Sequence, residues 1–521
     1  MEIELKLLIA PEDVGAFRRH RLLKEFSCGK PVSQQLVSTY FDTPDLYLKQ
    51  HQAALRVRKL GRSWIQTLKG GGRVDAGLHQ RHEWECAVKG RQVELASLLP
   101  LVDEPAARLL LEAPGLAARL QEVFTTSFRR TAWMLRLPRG AEVELALDQG
   151  FVDSGERQTV ISEIELELKS GEPGELFDFA LALQEDIPVI GCNASKAECG
   201  FALRQPAGDM VPAEIWKSEP LVFDPHVSLI EGVQAIVRNC MTHVQRNEAG
   251  VVAEGARGYH PGSVECLHQM RVGLRRLQSC IAMFRRQVAC PEPLRRQLAG
   301  VNKALGAARD WDVLAHETIH AIAHAFPEES QLEQLRQRAV VHARLQHRHA
   351  AAMIGSVAYS RLMLMLASWL QTLQTVAADG AAVQPGSLRR FGEEKIRSRQ
   401  RKLLQRDPGR SKDNRISPAA LHRLRIAVKK ARYPAEFFVS CFPGKRMQRY
   451  LQGLTSLQDS LGRITDAASS TPMLLELAQR HGELEQAAGF IRGYMAAQMP
   501  CKEKQAAAVW KAFASLKLPT A

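Results

Sequence analysis

Charged and apolar residues alternate, position by position, in six separate segments of the first 204 residues, and this limits the fold more than any other feature of the chain. In MEIELKLLIA, Glu2, Glu4 and Lys6 fall on one side of a strand and Ile3, Leu5 and Leu7 on the other. Arg56 and Arg58 repeat the pattern in LRVRK, Thr67 and Lys69 in SWIQTLK, and Arg81, Glu83 and Glu85 in QRHEWECAV. Glu142, Glu144 and Asp148 share a face in EVELALD, and Glu163, Glu165, Glu167 and Lys169 share one in SEIELELK. A period of two predicts strands. A single strand of this kind is ordinarily half-exposed, with its charged face in water. Six of them, with both signs of charge on one side, admit a second solution. The sheet can close into a barrel with the charged face inside and helices over the apolar outside. Helices are predicted near 11–26, 105–122 and 173–186.

Beyond residue 204 the pattern changes. Residues 205–225 hold four prolines and no period, which predicts a linker. From 226 to 515 Ala, Leu, Arg and Gln dominate at helical spacing, with a break near 378–388. This region contains an internal repeat. LHQMRVGLRRLQSCIAMFR (267–285) matches LHRLRIAVKKARYPAEFFV (421–439), and LGAARDWDV (305–313) matches LGRITDAAS (461–469). His268 to Asp310 is 42 positions and His422 to Asp466 is 44, so two helical units, about 226–378 and 388–515, are expected.

Charge divides along the same boundary. Residues 1–204 carry 26 Lys and Arg against 29 Asp and Glu, a net of −3; residues 205–521 carry 44 against 27, a net of +17. A basic half implies an anionic partner. The ten cysteines form no CxxC pair, which argues against a zinc site and fits reduced thiols in the cytoplasm. The N-terminus is charged and strand-like rather than a secretory signal. The most apolar run, LMLMLASWL (362–370), is too short to span a bilayer and reads as a buried helix, so no membrane is expected.

A lumen lined by carboxylates and cations needs a ligand that answers both. Paired carboxylates suit Mg²⁺ or Mn²⁺. Arg and Lys suit phosphate oxygens, Arg as a fork and Lys as a point charge. Together they describe a metal–polyphosphate site. Glu2-x-Glu4-x-Lys6, followed in order by YFDTPD, LRVR, QTLKG, EVELALD, EIELEL and SKAECGFAL, resembles the CYTH proteins, the triphosphate tunnel metalloenzymes. The resemblance covers 1–204 and implies an eight-stranded antiparallel tunnel with flanking helices. It further implies Glu2, Glu4, Asp148, Glu163 and Glu165 as metal ligands, and Arg56, Arg58, Lys69, Arg81, Arg130 and Lys196 as triphosphate ligands. Arg130 is preferred to Arg129 on its place before Trp133. Lys6 fits a phosphate ligand or the catalytic base, and the base role requires a depressed pKa that Glu2 and Glu4 oppose.

In the helical half, His268, Arg271 and Arg275 share one helix face, and His422, Arg425, Lys429 and Arg432 repeat it. One such stripe is ordinarily a solvated face; two at matching places in a basic repeat point to an anion surface. The two His-xx-Arg-xxx-(Arg/Lys)-(Arg/Lys) helices, which add Arg276 and Lys430, and the Leu-Gly…Asp segments resemble the CHAD domain. That resemblance implies an all-α region of two pseudo-symmetric bundles with a basic groove for inorganic polyphosphate. His268 and His422 read either as anion contacts or as packing donors. Arg309 has no counterpart in the second copy. Nucleic acid is the competing partner; the basic helices interleave few aromatics, although a basic patch alone does not exclude it. The expected class is thus α+β, and the expected activity is hydrolysis of tripolyphosphate with two Mg²⁺ or Mn²⁺ ions. The alternatives are a polyphosphate-granule protein without turnover and a class IV adenylate cyclase.

Overall fold

The computed structural model describes residues 1–204, 214–257, 261–378, 387–406 and 418–518. Residues 205–213 of the expected linker and 379–386 of the expected break between repeats lie outside them. The chain divides into two compact units, Met1–Val211 with Gly355–Thr372, and Pro212–Ile354 with Leu373–Ala521.

The first unit is a closed antiparallel barrel of eight strands: β1 (Glu2–Leu8), β2 (Val32–Asp42), β3 (Ala53–Leu60), β4 (Ser63–Asp75), β5 (Leu78–Val88), β6 (Gln121–Arg136), β7 (Glu142–Asp153) and β8 (Gln158–Ser170). The order is β5-β4-β3-β2-β6-β7-β8-β1, and pairing of β1 with β5 closes it. Six of the strands are the alternating segments. β2 and β6 escape that pattern for a physical reason. Opposite residues on paired strands share a face, and Tyr40 and Ser38 of β2 stand opposite Arg56 and Arg58, so β2 brings no charge to that face. β6 brings Arg130, preceded on the same face by Thr126 and Phe128.

The register gathers the charged faces into one interior. Lys6 pairs with Glu165 and Glu4 with Glu167 across β1–β8. Asp148 pairs with Glu163 across β7–β8 and with Arg130 across β6–β7. Leu5, Leu55, Leu68, Leu145, Leu147, Ile164 and Leu166 point the other way and are buried. Short helices between β5 and β6 cover part of that outer face, with Leu98, Leu111 and Leu116 packed on Leu55, Val57 and Trp84. Short helices at Val14–Arg18, Arg21–Phe26 and Tyr47–Gln50 flank the first strands, and after β8 come α1 (Gly174–Leu183), a two-residue strand β9 (Ile190–Gly191) on β1, and α2 (Lys196–Arg204).

One stretch lies elsewhere than the sequence places it. LMLMLASWL is a buried helix, but that helix, within Val357–Ala378, contributes Gly355–Thr372 to the barrel unit rather than to the helical half. Leu364 packs there beside Gly191, and Leu362 and Leu366 are buried as well. Among the described residues no single helix is long and apolar enough to cross a membrane.

In the second unit both copies of the repeat adopt the same helix pair. The His–Arg segments form α3 (Pro261–Phe284) and α5 (Pro418–Phe437), and the Leu-Gly…Asp segments lie in α4 (Glu292–Asp312) and α6 (Lys445–Arg480). The copies diverge after the aspartate. The first passes into a π-helical turn, Val313–Ile319, where the second continues as a regular helix. The described end of the expected linker is pinned to this unit, because Asn247 exchanges hydrogen bonds with both the N–H and the carbonyl of Trp216.

Candidate functional site

The barrel encloses a cavity of about 280 Å³ with a largely polar wall. All six cations singled out as phosphate ligands reach it: Arg56, Arg58, Lys69, Arg81, Arg130 and Lys196. Glu2, Glu4, Lys6 and Glu165 share the wall, and Asp148 and Glu163 are buried beside them. Of the adjacent arginines, Arg130 faces Asp148 inside and Arg129 is exposed.

Asp148, Glu163 and Glu165 bring carboxylate oxygens within 4.8 Å of one another. Three like charges so close repel, and cations sit among them. Lys196 Nζ donates to Asp148 at 2.7 Å, to Glu165 at 2.9 Å and also to Glu163. Arg130 grips Asp148 as a fork, Nε at 2.8 Å and Nη2 at 2.6 Å, and reaches Glu165 as well. Lys6 Nζ donates to Glu165 at 2.5 Å and stands 3.4 Å from Glu4. Glu2 belongs to a different pairing, with Lys69 at 2.6 Å, and Lys69 also meets Glu83 at 3.1 Å.

These contacts set the charge states. Burial pushes the Glu165 carboxyl up, but Lys196, Lys6 and Arg130 outweigh it and hold it well below the usual range. Burial pulls Lys6 down, but Glu165, Glu4 and Glu163 hold it well above the usual lysine value. The depressed pKa that a base requires is therefore not what this arrangement gives Lys6; it is a cation. Arg58 falls to about 10 through burial and the neighbouring Arg56. Three buried carboxylates converging on one place are the hard-oxygen donor set that a divalent cation such as Mg²⁺ takes, so the residues present fit a metal.

Two lumen residues escaped the sequence reading. Tyr40 lines the cavity beside Arg56. It lies in YFDTPD, whose Asp42 is structural: its carboxylate accepts from the N–H groups of Thr43, Leu48 and Lys49. His79 stands opposite Glu4, and its Nε2 donates to the Cys192 carbonyl at 3.0 Å. Burial lowers it to about 4, so it is neutral. Charge alternation signals neither residue.

The helical unit brings basic side chains of both copies to one place. Arg275 of α3 and Lys429 and Lys430 of α5 line a groove of about 290 Å³ with Arg399. Burial, with Arg425 and Arg275 nearby, lowers Lys429 to about 7. Burial and Arg275 lower Arg271 to about 10. Arg271 keeps Nε and Nη1 buried without a hydrogen-bond partner, and Arg425 its Nε. The glycine of LGAARD makes room for this: a Cβ on Gly306 would lie 2.7 Å from Arg271 Nη1. Burial and Arg309 take His268 down to about 4, which makes it a neutral imidazole. His422 is exposed, and Arg432 pairs with Glu436 at 2.6 Å on its own helix. Arg276 is 6 % exposed and lies over the Phe437 ring at 5.2 Å, packed in the bundle, with its Nε buried and without a hydrogen-bond partner. Arg309, the residue without a counterpart, pairs with Glu317 at 2.7 Å.

Comparison with known proteins agrees with this division. Residues 1–199 match the CYTH domain and residues 235–475 the CHAD domain. The inorganic triphosphatase of Haemophilus influenzae is 34% identical over 206 residues, which are 39% of this chain and 54% of that protein, so the chain spans about half the length of this curated relative. The crystal structure of the CHAD domain from the plant Ricinus communis is 32% identical, covers 58% of this chain and 98% of its own, and superposes with a TM-score of 0.52.

Proposed function

We propose that this chain, a CYTH domain followed by a CHAD domain, hydrolyses tripolyphosphate to pyrophosphate and phosphate in its barrel and holds longer inorganic polyphosphate on its helical half. The observation that carries the reading is the composition of the barrel wall: eight cations and six carboxylates line one cavity, and Asp148 and Glu163 join Glu165 in a buried cluster beside it. A binding pocket for an anion has no use for clustered carboxylates; a site that must also hold a metal does. The inorganic triphosphatase activity of the Haemophilus relative supports the same chemistry.

Asp148, Glu163 and Glu165 would hold the divalent cation, Mg²⁺ or Mn²⁺, with Glu2 and Glu4 as the ligands of a second. Such ions supply charge neutralisation and polarise phosphoryl oxygen and water. The chain's own residues do the rest. Arg56 and Arg58 repel each other and relax when phosphate oxygens arrive, which favours them as holders of the leaving pyrophosphate. Arg130 and Lys196, now on carboxylates, are placed to pass to phosphate oxygens once those carboxylates are engaged. Lys6, held as an ammonium, serves better as a cation on the reacting phosphoryl group than as the acceptor of a water proton. Near Lys429 of the groove, the unpartnered N–H groups of Arg271 and Arg425 support an anion on this half.

Phosphate release by the full chain from tripolyphosphate, ATP and thiamine triphosphate, each with Mg²⁺, Mn²⁺ or EDTA, tests the reading. EDTA-sensitive release from tripolyphosphate well ahead of the others is expected. Cyclic AMP from ATP, or no turnover at all, would overturn it.

A further inference from the structure

The helix within Val357–Ala378 lies in the stretch that matches the CHAD domain, yet Gly355–Thr372 is packed in the barrel unit. Its contacts there are specific. Ser360 is buried, and its Oγ accepts from the Gly191 N–H at 2.9 Å and from Gln184 Nε2 at 3.1 Å. The adjoining turn, Leu364, is wholly buried, and it and Ser360 Oγ would each lie 3.8 Å from a Cβ on Gly191. Arg361 donates to the Leu181 carbonyl at 3.2 Å and Ser368 to Asp178 at 3.1 Å, which fixes the helix along α1.

What Ser360 holds matters to the site. Gly191 belongs to β9, which pairs with Leu7 and Leu8 of β1. The next residue, Cys192, donates its N–H to the Lys6 carbonyl at 2.9 Å and accepts from His79 Nε2. On the same edge of β1, the one away from β8, the Lys6 N–H donates to the Gly77 carbonyl at 2.9 Å, and the Gly77 N–H donates to Asn193 Oδ1 at 2.7 Å. The segment from Gly191 thus holds the Lys6 backbone along this edge, directly through Cys192 and through Gly77 by way of Asn193, and runs on to Lys196, the cation among the three carboxylates. Apolar packing alone would let a helix slide or turn; a buried hydroxyl taking two donors fixes its register.

We propose that this helix is a working part of the phosphate-cutting unit, and that Ser360 is the positioning residue through which it sets Lys6 and Lys196. The inference rests on the triphosphatase reading for its kinetic consequence, but not for its structural one. The barrel would then be incomplete without chain that belongs, in sequence, to the other domain.

The test is Ser360→Ala in the full chain, with Ser360→Thr as rescue and Ser368→Ala as control. Hydrogen exchange at Gly191 and Cys192 is expected to speed up at least about tenfold in Ser360→Ala, through loss of the Gly191 bond. KM for tripolyphosphate is expected to rise and kcat to fall, together about tenfold, through misplacement of Lys6 and Lys196. Ser360→Thr should restore both, and Ser368→Ala should change neither. A merely structural role would lower the melting midpoint but leave KM of the folded protein alone, and that result overturns the proposal. So does unchanged exchange at Gly191. If the wild-type chain releases no phosphate, the functional reading fails while the exchange arm still decides this one. If Ser360→Ala does not fold, Ser360→Cys, similar in size and a weak acceptor, gives the same two readouts.

Discussion

In the barrel, Lys196 lies among three carboxylates, and Lys6 and Arg130 share one of them; in the helical unit, Arg271 keeps Nε and Nη1 buried without a partner, and Arg425 its Nε, while Arg425 Nη2 reaches Asp466 at 3.4 Å. The titration directions follow. Carboxylates hold Lys6 and Arg130 well above their ordinary values against the pull of burial, whereas burial and neighbouring cations bring Arg271 down to about 10 and Lys429 to about 7. The difference teaches two ways of receiving an anion. The barrel is neutralised from within, so a ligand enters by exchange of partners and selectivity can depend on a metal. The cations of the helical unit crowd one another, with Asp310 and Asp466 among them, so the polyphosphate proposed for this half would relieve them without a metal.

The largest break in this comparison would come from Glu165→Gln, which keeps the volume but leaves Lys6, Lys196 and Arg130 short of a shared partner. Turnover of tripolyphosphate is expected to fall roughly 10²–10³-fold, the range for loss of one preorganised electrostatic group. Long-chain polyphosphate binding should be untouched. Unchanged phosphate release would remove Glu165 from the site.

Next in size is Arg271→Ala combined with Arg425→Ala. Filter binding of long-chain polyphosphate should weaken about 10–100-fold, the worth of one to two charge-assisted bonds. Turnover of tripolyphosphate should stay as it is; a parallel loss would show that the two regions do not act separately.

How far the sequence alone reaches can be judged on these same residues. Glu165 and Lys6 were legible because strand parity put them on one face, and the register then paired them. Arg271 and Arg425 were legible because the repeat placed them alike. Tyr40 and His79 were not: the strand of Tyr40 gives no charge alternation, and His79, which precedes Arg81, Glu83 and Glu85 on their face, is not one of the charged residues that mark the pattern. The burial of Arg276 was not legible, since a motif of adjacent cations does not say which of the two faces inward. Ser360 lay beyond reach altogether: its partner Gly191 is 169 residues away, and no local pattern reports a contact so distant.

Smaller effects sharpen the contrast. Lys429 titrates near 7 in the fold, below an ordinary lysine, so above that pH the folded chain has given up a proton that the unfolded chain still binds. Stability of the helical half should therefore rise as pH climbs from about 7 toward the ordinary lysine range, while polyphosphate affinity, which uses the ammonium, declines over the same window. Titrations of melting midpoint and binding against pH would show opposite slopes, and Lys429→Met should flatten both.

The smallest test separates the two copies of the repeat. Gly306→Ala would push on Arg271 Nη1 from 2.7 Å, and a few-fold loss of polyphosphate affinity is expected as that side chain moves. At the matching Gly462 a Cβ meets nothing nearer than Asp466 Oδ2 at 3.8 Å. Gly462→Ala should raise stability by about 0.5–1 kcal/mol, the ordinary helical preference for alanine. Equal effects at both positions would mean that the copies are equivalent.

The central claim is that the barrel cuts a triphosphate and does not merely hold it. Phosphorus NMR of the full chain with tripolyphosphate and Mg²⁺ measures this directly. The account predicts pyrophosphate and phosphate appearing in equal amounts, halted by EDTA and by Glu165→Gln. Resonances of bound but intact tripolyphosphate, persisting with metal present, would contradict it.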